Sequence, residues 1–367
     1  MKKLTRRPVR FKGLTVGLDV HLAFIEYVLL DDDGDETGSG RVPATAEGLS
    51  KLLKLTKGMA VQFVLEAGGS FLWVFDRLVD HAGRDQVHVA QPHRIRPIAN
   101  SLEKNDANDA WWLAYLQFEG RLPEAFVPEA AHRDLRIATR ELRDVVDRRS
   151  DLIRRFKSHL AQEGLKLGSA NFHSEVSRDQ AAELARSRSG ARRSALEHLL
   201  SQIEVLDDVV EWWRAKVREI CGELPQVKAM EKELPGIGPE TAAILYGELG
   251  DPTRYRSAKA YACGTGLVPG FRTSGGRSTP TGMSRAGSRH ARWALTRAVI
   301  ACMRCKRGPG VSVKYWVLRR TRNRPKRKVY VAAARKLAEG IWRLFALGEE
   351  FDLSRAFPGK RIEERAA

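Results

Sequence analysis

From residue 14 onward, short apolar runs alternate with turn signals. The run "LTVGLDVHLAFIEYVLL" (14–30) is β-branched and apolar and is closed by "DDDGDE", which predicts a hairpin, with a third strand near 37–43. The pattern then lengthens to helical spacing in "AEGLSKLLKLTKG", which stops at Gly58. "VQFVLEAGG" (61–69) is a short apolar strand ended by a glycine pair, "FLWVFDRLVDHAG" (71–83) a helix with a glycine stop, and "VHVA" (87–90) another strand closed by Pro92. "EKNDANDAWWLAYLQ" (103–117) opens a further helix at Asp106. A hairpin followed by alternating strands and helices predicts a mixed sheet with helices on its faces, ending near residue 128 after "RLPEAFVP".

The period changes over 130–224. Leu142, Val145, Arg149, Leu152, Phe156 and Leu160 follow a three-four rhythm, and Leu199, Ile203, Leu206, Val210, Trp213, Val217, Ile220 and Leu224 repeat it. Two long helices joined by a polar Ser/Arg-rich stretch near 168–193 predict an antiparallel coiled-coil arm suited to contacts between protomers, with an ordinary helical bundle as the alternative. Beyond residue 231 the pattern is helical but broken by glycines. "LPGIGPETAAIL" (234–245) is similar to a helix-hairpin-helix element, in which backbone N–H groups near Gly236 and Gly238 could hold a phosphate; a plain helix start looks much the same. "GLVPGFRTSGGRSTPTGMSRAGSRH" (266–290) is too polar to bury and reads as a long loop, with helices near 287–306 and 328–347 after it. The expected domains are therefore 1–128, 129–225 and 226–367.

Charge sharpens this picture. The net charge is +18, and residues 251–367 alone carry +20, so the first 250 residues are close to neutral at −2. A basic excess confined to one region is the footprint of a polyanion binder. No apolar run reaches the roughly 18 residues of a membrane span, and the basic start has no apolar signal core behind it, so a cytoplasmic, nucleoid-associated protein is expected. Cys221, Cys263, Cys302 and Cys305 are too few and scattered for a disulfide framework, and the lone Cys302-x-x-Cys305 pair reads as buried helix cysteines rather than a zinc site.

Four acids stand out by position. Asp19 interrupts an otherwise apolar first strand, Glu66 ends a later strand, and Asp106 and Asp109, three residues apart, share one face of a helix. Each has a plainer reading: Asp106 as an N-cap, Asp109 as a dipole-favoured first-turn acid, Glu66 as an arginine partner. Together, on strand and helix ends that a mixed sheet can bring to one edge, they predict a site for Mg²⁺ or Mn²⁺, since converging carboxylates cannot all stay ionised without cations. Two such ions can clamp the attacking and leaving oxygens of a phosphodiester.

With those residues in view, "GLDVH", "LEAGG" and "KNDANDA" resemble the Asp, Glu and Asp-x-x-Asp motifs of the RuvC-like DEDD transposases of bacterial insertion sequences. "LPGIGPETAAIL", "GLVPGFRTSGG" and "GMSRAGSRHARWAL" resemble the second domain of the insertion-sequence one-ten family. The likeness runs over roughly 15–350, with departures at Asn105, where Thr is usual, and at Gly68, which replaces a common Thr. It implies an RNase H-like (RuvC-like) α/β domain and a mainly α-helical C-terminal domain linked by the arm. It implies a DNA recombinase that excises and inserts an element with the metal held by Asp19, Glu66, Asp106 and Asp109.

The resemblance also implies a serine nucleophile five residues after Pro269, which is Ser274, and a structured non-coding bridge RNA, double-stranded DNA and a homo-oligomer as partners. Gly275 and Gly276 would allow close backbone approach to Ser274, while Arg272 and Arg277 could hold a phosphate. Arg285, Arg289 and Arg292 in the next motif are further nucleic-acid candidates. Ser278 and Ser284 share the same composition, and nothing in composition selects RNA over DNA. A metal-only junction resolvase, an actin-like sugar kinase and an inactive nucleic-acid binder are the rival readings. The kinase would require a second phosphate hairpin, which the chain does not offer, and would leave the basic tail without a purpose.

Overall fold

A computed structural model describes residues 11–92, 94–95, 106–167, 172, 174–222, 224–274, 277–284 and 287–359. The chain divides into two compact units, Met1–Val127 and Pro128–Ala367.

The first unit is built on five strands: β1 (Leu14–Val20), β2 (Phe24–Leu30), β3 (Glu36–Pro43), β4 (Val61–Glu66) and β5 (Val87–Ala90), in the order β3-β2-β1-β4-β5. The hairpin strands β1, β2 and β3 pair antiparallel, and β4 and β5 join parallel to β1. Side chains alternate across the sheet, so each face has its own core. Val16, Leu18, Phe63 and Leu65 pack with α1 (Ala46–Leu55) and α2 (Phe71–Ala82) on one face. Val64, Val28 and Leu30 meet α3 (Asp106–Phe118) on the other. Thr45 caps α1 by accepting from the Gly48 amide at 3.1 Å.

Gly17 sets how closely α3 approaches. A Cβ on Gly17 would stand 2.0 Å from the Ala110 carbonyl oxygen and 2.9 Å from the Ala114 methyl. At the far end of the helix, Gln117 donates to Gln62 at 3.0 Å, and Gln62 donates to Thr15 at 2.8 Å. The helix therefore runs antiparallel to β1, its last turn over Thr15 and its middle over Gly17.

The second unit is almost wholly helical: α4 (Ala130–Ala161), α5 (Glu175–Arg186), α6 (Gly190–Cys221), α7 (Pro225–Glu233), α8 (Pro239–Leu249), α9 (Ala258–Gly264), α10 (Arg289–Arg304), α11 (Gly310–Thr321), α12 (Lys326–Ala346) and α13 (Leu353–Ala356). The two expected long helices are α4 and α6, and they pack along each other. They do not show the free coiled-coil arm. Leu135, Leu142 and Val145 with Val210 and Val217 belong to the same core as the C-terminal helices. At the far end Phe156, Leu160, Leu199 and Ile203 are covered by Ala181 and Ala185 of α5 as well as by each other. A third helix on the seam replaces the two-stranded packing that a strict heptad would need. Inside the pair, the buried Arg149 donates to Asp207 and, at 3.2 Å, to the Phe172 carbonyl.

Two segments without an apolar period hold regular elements among their described residues. Within the polar stretch near 168–193, small residues at Ala181 and Ala185 give α5 a narrow buried stripe, and Ser174 caps it. The Gly/Ser/Thr-rich segment forms an antiparallel hairpin of β6 (Pro269–Ser274) and β7 (Arg277–Met283), with Ser274 opposite Arg277. Its alternating Thr residues favour strand, and a two-residue connection fits a tight hairpin. No helix among the described residues is long and apolar enough to cross a membrane.

Candidate active site

Asp19 is the next-to-last residue of β1 and Glu66 the last of β4. Their strands run parallel with Leu18 level with Leu65, so Asp19 and Glu66 occupy the following rung, on strands about 5 Å apart. Both follow Gly17 and Val64 by two residues and so share the face covered by α3. Asp106 begins that helix one turn before Ala110, about 6 Å nearer the strand ends. Asp19 lies two residues beyond Gly17, about 7 Å along its strand. The backbone of the first turn of α3 is thereby carried to the level of Asp19. Asp109 is exposed in that turn, and the side chain of Asp106 lies outside the described residues.

Two neighbours escaped the sequence reading. His21 Nε2 stands 2.9 Å from Asp19 Oδ2, with its ring tilted against Phe24 at 4.6 Å between centroids. Glu26 lies directly across from Asp19 on β2 and is buried. Two facing carboxylates would repel, but Arg41 donates from Nε to Glu26 Oε1 at 2.5 Å, and its guanidinium lies 4.0 Å above the Phe24 ring. Glu26 was as conspicuous in "FIEYVLL" as Asp19 in "VGLDVH"; an acid in an apolar strand was the available signal for both. Glu26 is thus held by Arg41, whereas Asp19 meets a histidine.

A divalent ion takes hard oxygen donors, and the carboxylates of Asp19 and Glu66 beneath the acidic start of α3 supply that chemistry at one end of the sheet. Among the described residues no three His, Cys, Asp or Glu side chains stand close enough to hold an ion. Asp106 is not among the side chains so described.

In the second unit Ser274 ends β6 at the tip of the hairpin, level with Arg277, and Arg272 precedes it by two residues, level with Thr279. The pleat puts Arg272, Ser274 and Arg277 at positions on one face of the ribbon. Their side chains, and Arg285, Gly275 and Gly276 altogether, lie outside the described residues.

The base of the hairpin is tied down. Ser284 N donates to the Val268 carbonyl at 2.9 Å, and Arg292 Nη1 donates to the Ser284 carbonyl at 3.1 Å and the Gly266 carbonyl at 3.5 Å, so this predicted nucleic-acid contact also has a structural task. Gly287, at φ +89°, packs where a Cβ would lie 2.5 Å from the Cys263 carbonyl oxygen. Ser288 caps α10 by accepting from Ala291 N at 3.1 Å, and its hydroxyl donates to Glu248 Oε2 at 2.8 Å.

Glu248, only 3% exposed at its side chain, receives Arg140 at 2.7 and 3.1 Å. Burial by itself pushes the Glu248 carboxyl up, but the hydrogen bonds from Arg140 and Ser288 and the charges of Arg140 and Arg136 outweigh it and hold it below the usual carboxylate value. His290 beside them is pushed down, first by burial and then by Arg140, Arg143 and Arg289, with Glu248 opposing.

Of the other predicted residues, Arg289 is exposed, with Nε 3.4 Å from His290 Nε2. Gly236, at φ +75°, is pressed against α10, where a Cβ would meet the Ala298 carbonyl oxygen at 2.3 Å and Cys302 Sγ at 2.6 Å. Its backbone conformation thus serves helix packing. Gly238 caps α8 with open space around it. Cys302 is buried, which pushes its thiol up to about 12, and it acts as a small apolar side chain.

The strand order, the parallel β1–β4 register and the acids at its carboxyl end define an RNase H-like domain of the kind that moves phosphodiester bonds. A DEDD transposase family matches residues 16–165, and the family described as "Transposase IS116/IS110/IS902 family" matches residues 231–314. The transposase of insertion sequence element IS1111A from Coxiella burnetii is 25% identical over 271 residues, 72% of each chain. That of IS1328 from Yersinia enterocolitica is 31% identical over 136 residues, 36% of this chain and 41% of its own. The chain belongs to the IS110/IS116/IS902 family of transposases. It is a transposase, an enzyme of DNA phosphodiester transfer, and its DEDD domain implies a divalent metal ion.

Proposed function

We propose that this transposase excises and inserts an insertion-sequence element by metal-assisted, serine-dependent strand cleavage and exchange, directed by a structured non-coding RNA. The reading is supported above all by the shared rung of Asp19 and Glu66 on neighbouring strands under the start of α3. Asp19, Glu66, Asp106 and Asp109 are the residues that would hold the ion. A bound divalent cation supplies Lewis-acid charge at the scissile phosphate.

Arg272 and Arg277, level with or two residues from Ser274 on the ribbon, hold the phosphate and offset its developing charge. The Ser274 hydroxyl oxygen attacks phosphorus and loses its proton. The bond from phosphorus to one deoxyribose oxygen breaks, and that oxygen leaves as a hydroxyl with a proton. A hydroxyl of the recipient strand later attacks the phosphoserine, restoring the serine. Residues 129–225 serve as the oligomerisation segment of a dimer or tetramer. The basic C-terminal region tracks DNA and RNA backbones.

The test is a denaturing gel of full-length protein with an element-end duplex, guide RNA and Mg²⁺. The wild type forms a covalent protein–DNA band. Ser274→Ala abolishes it, and Ser278→Ala and Ser284→Ala retain it. Undiminished cleavage by Ser274→Ala, with no covalent band from the wild type, would replace this reading with a metal-only nuclease.

A further inference from the structure

Between α11 and α12 runs "RRTRNRPKRK", residues 319–328, in which seven of ten positions are Lys or Arg and none is acidic or aromatic. It lies beyond both family matches, which end at residues 165 and 314. The flanking helices are anchored: Val313, Trp316 and Val317 of α11 and Val329, Ala333 and Leu337 of α12 are buried in one core. The turn is therefore presented on fixed supports.

Three of its cations are partly engaged in structure, Lys326 among them, with its Nζ 5.6 Å from the centre of the Tyr330 ring. Arg319 Nη2 donates to the Pro358 carbonyl at 3.0 Å, and the Arg320 guanidinium lies 4.2 Å from the centre of the Trp316 ring. Arg322, Arg324, Lys326, Arg327 and Lys328 are all exposed, and among the described residues no carboxylate pairs with them. Like charges this close repel. Lys326, Arg327 and Lys328 also occupy the first turn of α12, where the helix dipole disfavours cations. Both effects cost the folded chain free energy that a polyanion laid across the turn would offset.

The kind of polyanion follows from what the turn lacks. Single-strand binders offer aromatic rings for bases to stack on, and none of these ten residues is aromatic. Guanidinium and ammonium groups without base-reading neighbours grip phosphates irrespective of sequence. We infer that the 319–328 turn clamps the phosphate backbone of duplex DNA. This rests on the enzyme's acting on DNA and is independent of the serine mechanism.

The experiment measures binding of the full-length chain to a duplex of about 30 base pairs across a salt series. The variants are R322Q/R324Q/R327Q and the charge-preserving R322K/R324K/R327K. Each phosphate contact contributes about 0.9 to the slope of log affinity against log salt. The Gln variant should therefore lose roughly 2 to 3 of that slope, and at least about tenfold in affinity near 0.1 M salt. The Lys variant should keep both, and Ser274→Ala, which tests the other reading, should bind like wild type. A Gln variant with the wild-type slope would overturn the inference. So would a Lys variant as weak as the Gln variant, or a loss confined to a folded RNA hairpin with duplex DNA binding intact.

Discussion

Gly17→Ala joins packing to chemistry most directly. The new methyl would lie 2.0 Å from the Ala110 carbonyl oxygen, and a real contact there needs at least 3.0 Å, so α3 or β1 must yield by about 1 Å. The obstruction is backbone, so no rotamer change relieves it. Overpacking of this kind costs about 1–3 kcal/mol. For a unit the size of Met1–Val127 that lowers the melting temperature by roughly 5–10 °C. The same retreat lifts the start of α3 from the level of Asp19 and Glu66, and misplacement by about 1 Å costs on the order of 100-fold in rate. Calorimetry of the full chain reads the first effect, and single-turnover cleavage with saturating Mg²⁺ reads the second. Ala114→Gly removes only the methyl at 2.9 Å and leaves the carbonyl at 2.0 Å, so it should not rescue. A Gly17→Ala protein with the wild-type transition and rate would refute the close seating of α3 on β1.

Further consequences concern the base of the serine hairpin. Arg140→Ala leaves Glu248 buried without its main cation and should cost about 3 kcal/mol or more in denaturant titration. Glu248→Gln, which leaves the half-exposed Arg140 able to reach water, should cost less. The Glu248 carboxyl is held below its unfolded value, so its contribution is fully present above about pH 4.5 and is lost as the pH falls through the folded value; Glu248→Gln should flatten that acid limb. His290, pushed down mainly by burial, acts in the same direction below about pH 6.5, and His290→Gln should flatten that window in a stability–pH curve. Gly236→Ala, strained at φ +75° and 2.3 Å from the Ala298 carbonyl oxygen, should lose about 2 kcal/mol or more; thermal unfolding unchanged from wild type would contradict the packing of that turn on α10.

The sheet was legible because its strands carry a period of two, broken by strong turn residues, and the spacing of hairpin, helix and strand leaves few topologies. Asp19 and Glu66 were legible for the same reason: an ionisable residue in or at the end of an apolar strand violates the pattern. That logic applied equally to Glu26, which the structure pairs with Arg41 from β3. The hairpin of β6 and β7 was hidden because Gly, Ser and Thr dominate a segment with few apolar side chains to mark a period. The helix α5 was hidden because its buried stripe is alanine, which propensity favours but hydropathy barely registers. The seam between α4 and α6 looked like a coiled coil because periodicity reports which face is buried, not how many helices cover it. Glu248 and Arg140 are 108 residues apart, and no local rule connects them.

The electrostatic design of the two units follows from opposite tasks. A polyanion approaching acids at the end of β1 and β4 meets repulsion, so those acids suit a DNA-processing site only with cations between them and the phosphates. Asp19 and Glu26 face each other across β1 and β2, and if both were left to ions the site would gather more negative charge than the reaction needs. Arg41 removes Glu26 from that balance, while His21 Nε2 stands 2.9 Å from Asp19 Oδ2. The C-terminal part of the second unit carries the reverse problem: residues 251–367 hold 27 Lys and Arg against 7 Asp and Glu. The unit keeps its few buried acids for joints such as Glu248 and leaves the 319–328 turn uncompensated. On the proposed reading, attraction of DNA and handling of its scissile phosphate fall to separate parts of the chain, so substitutions in the 319–328 turn should weaken binding without touching the carboxylates at the ends of β1 and β4.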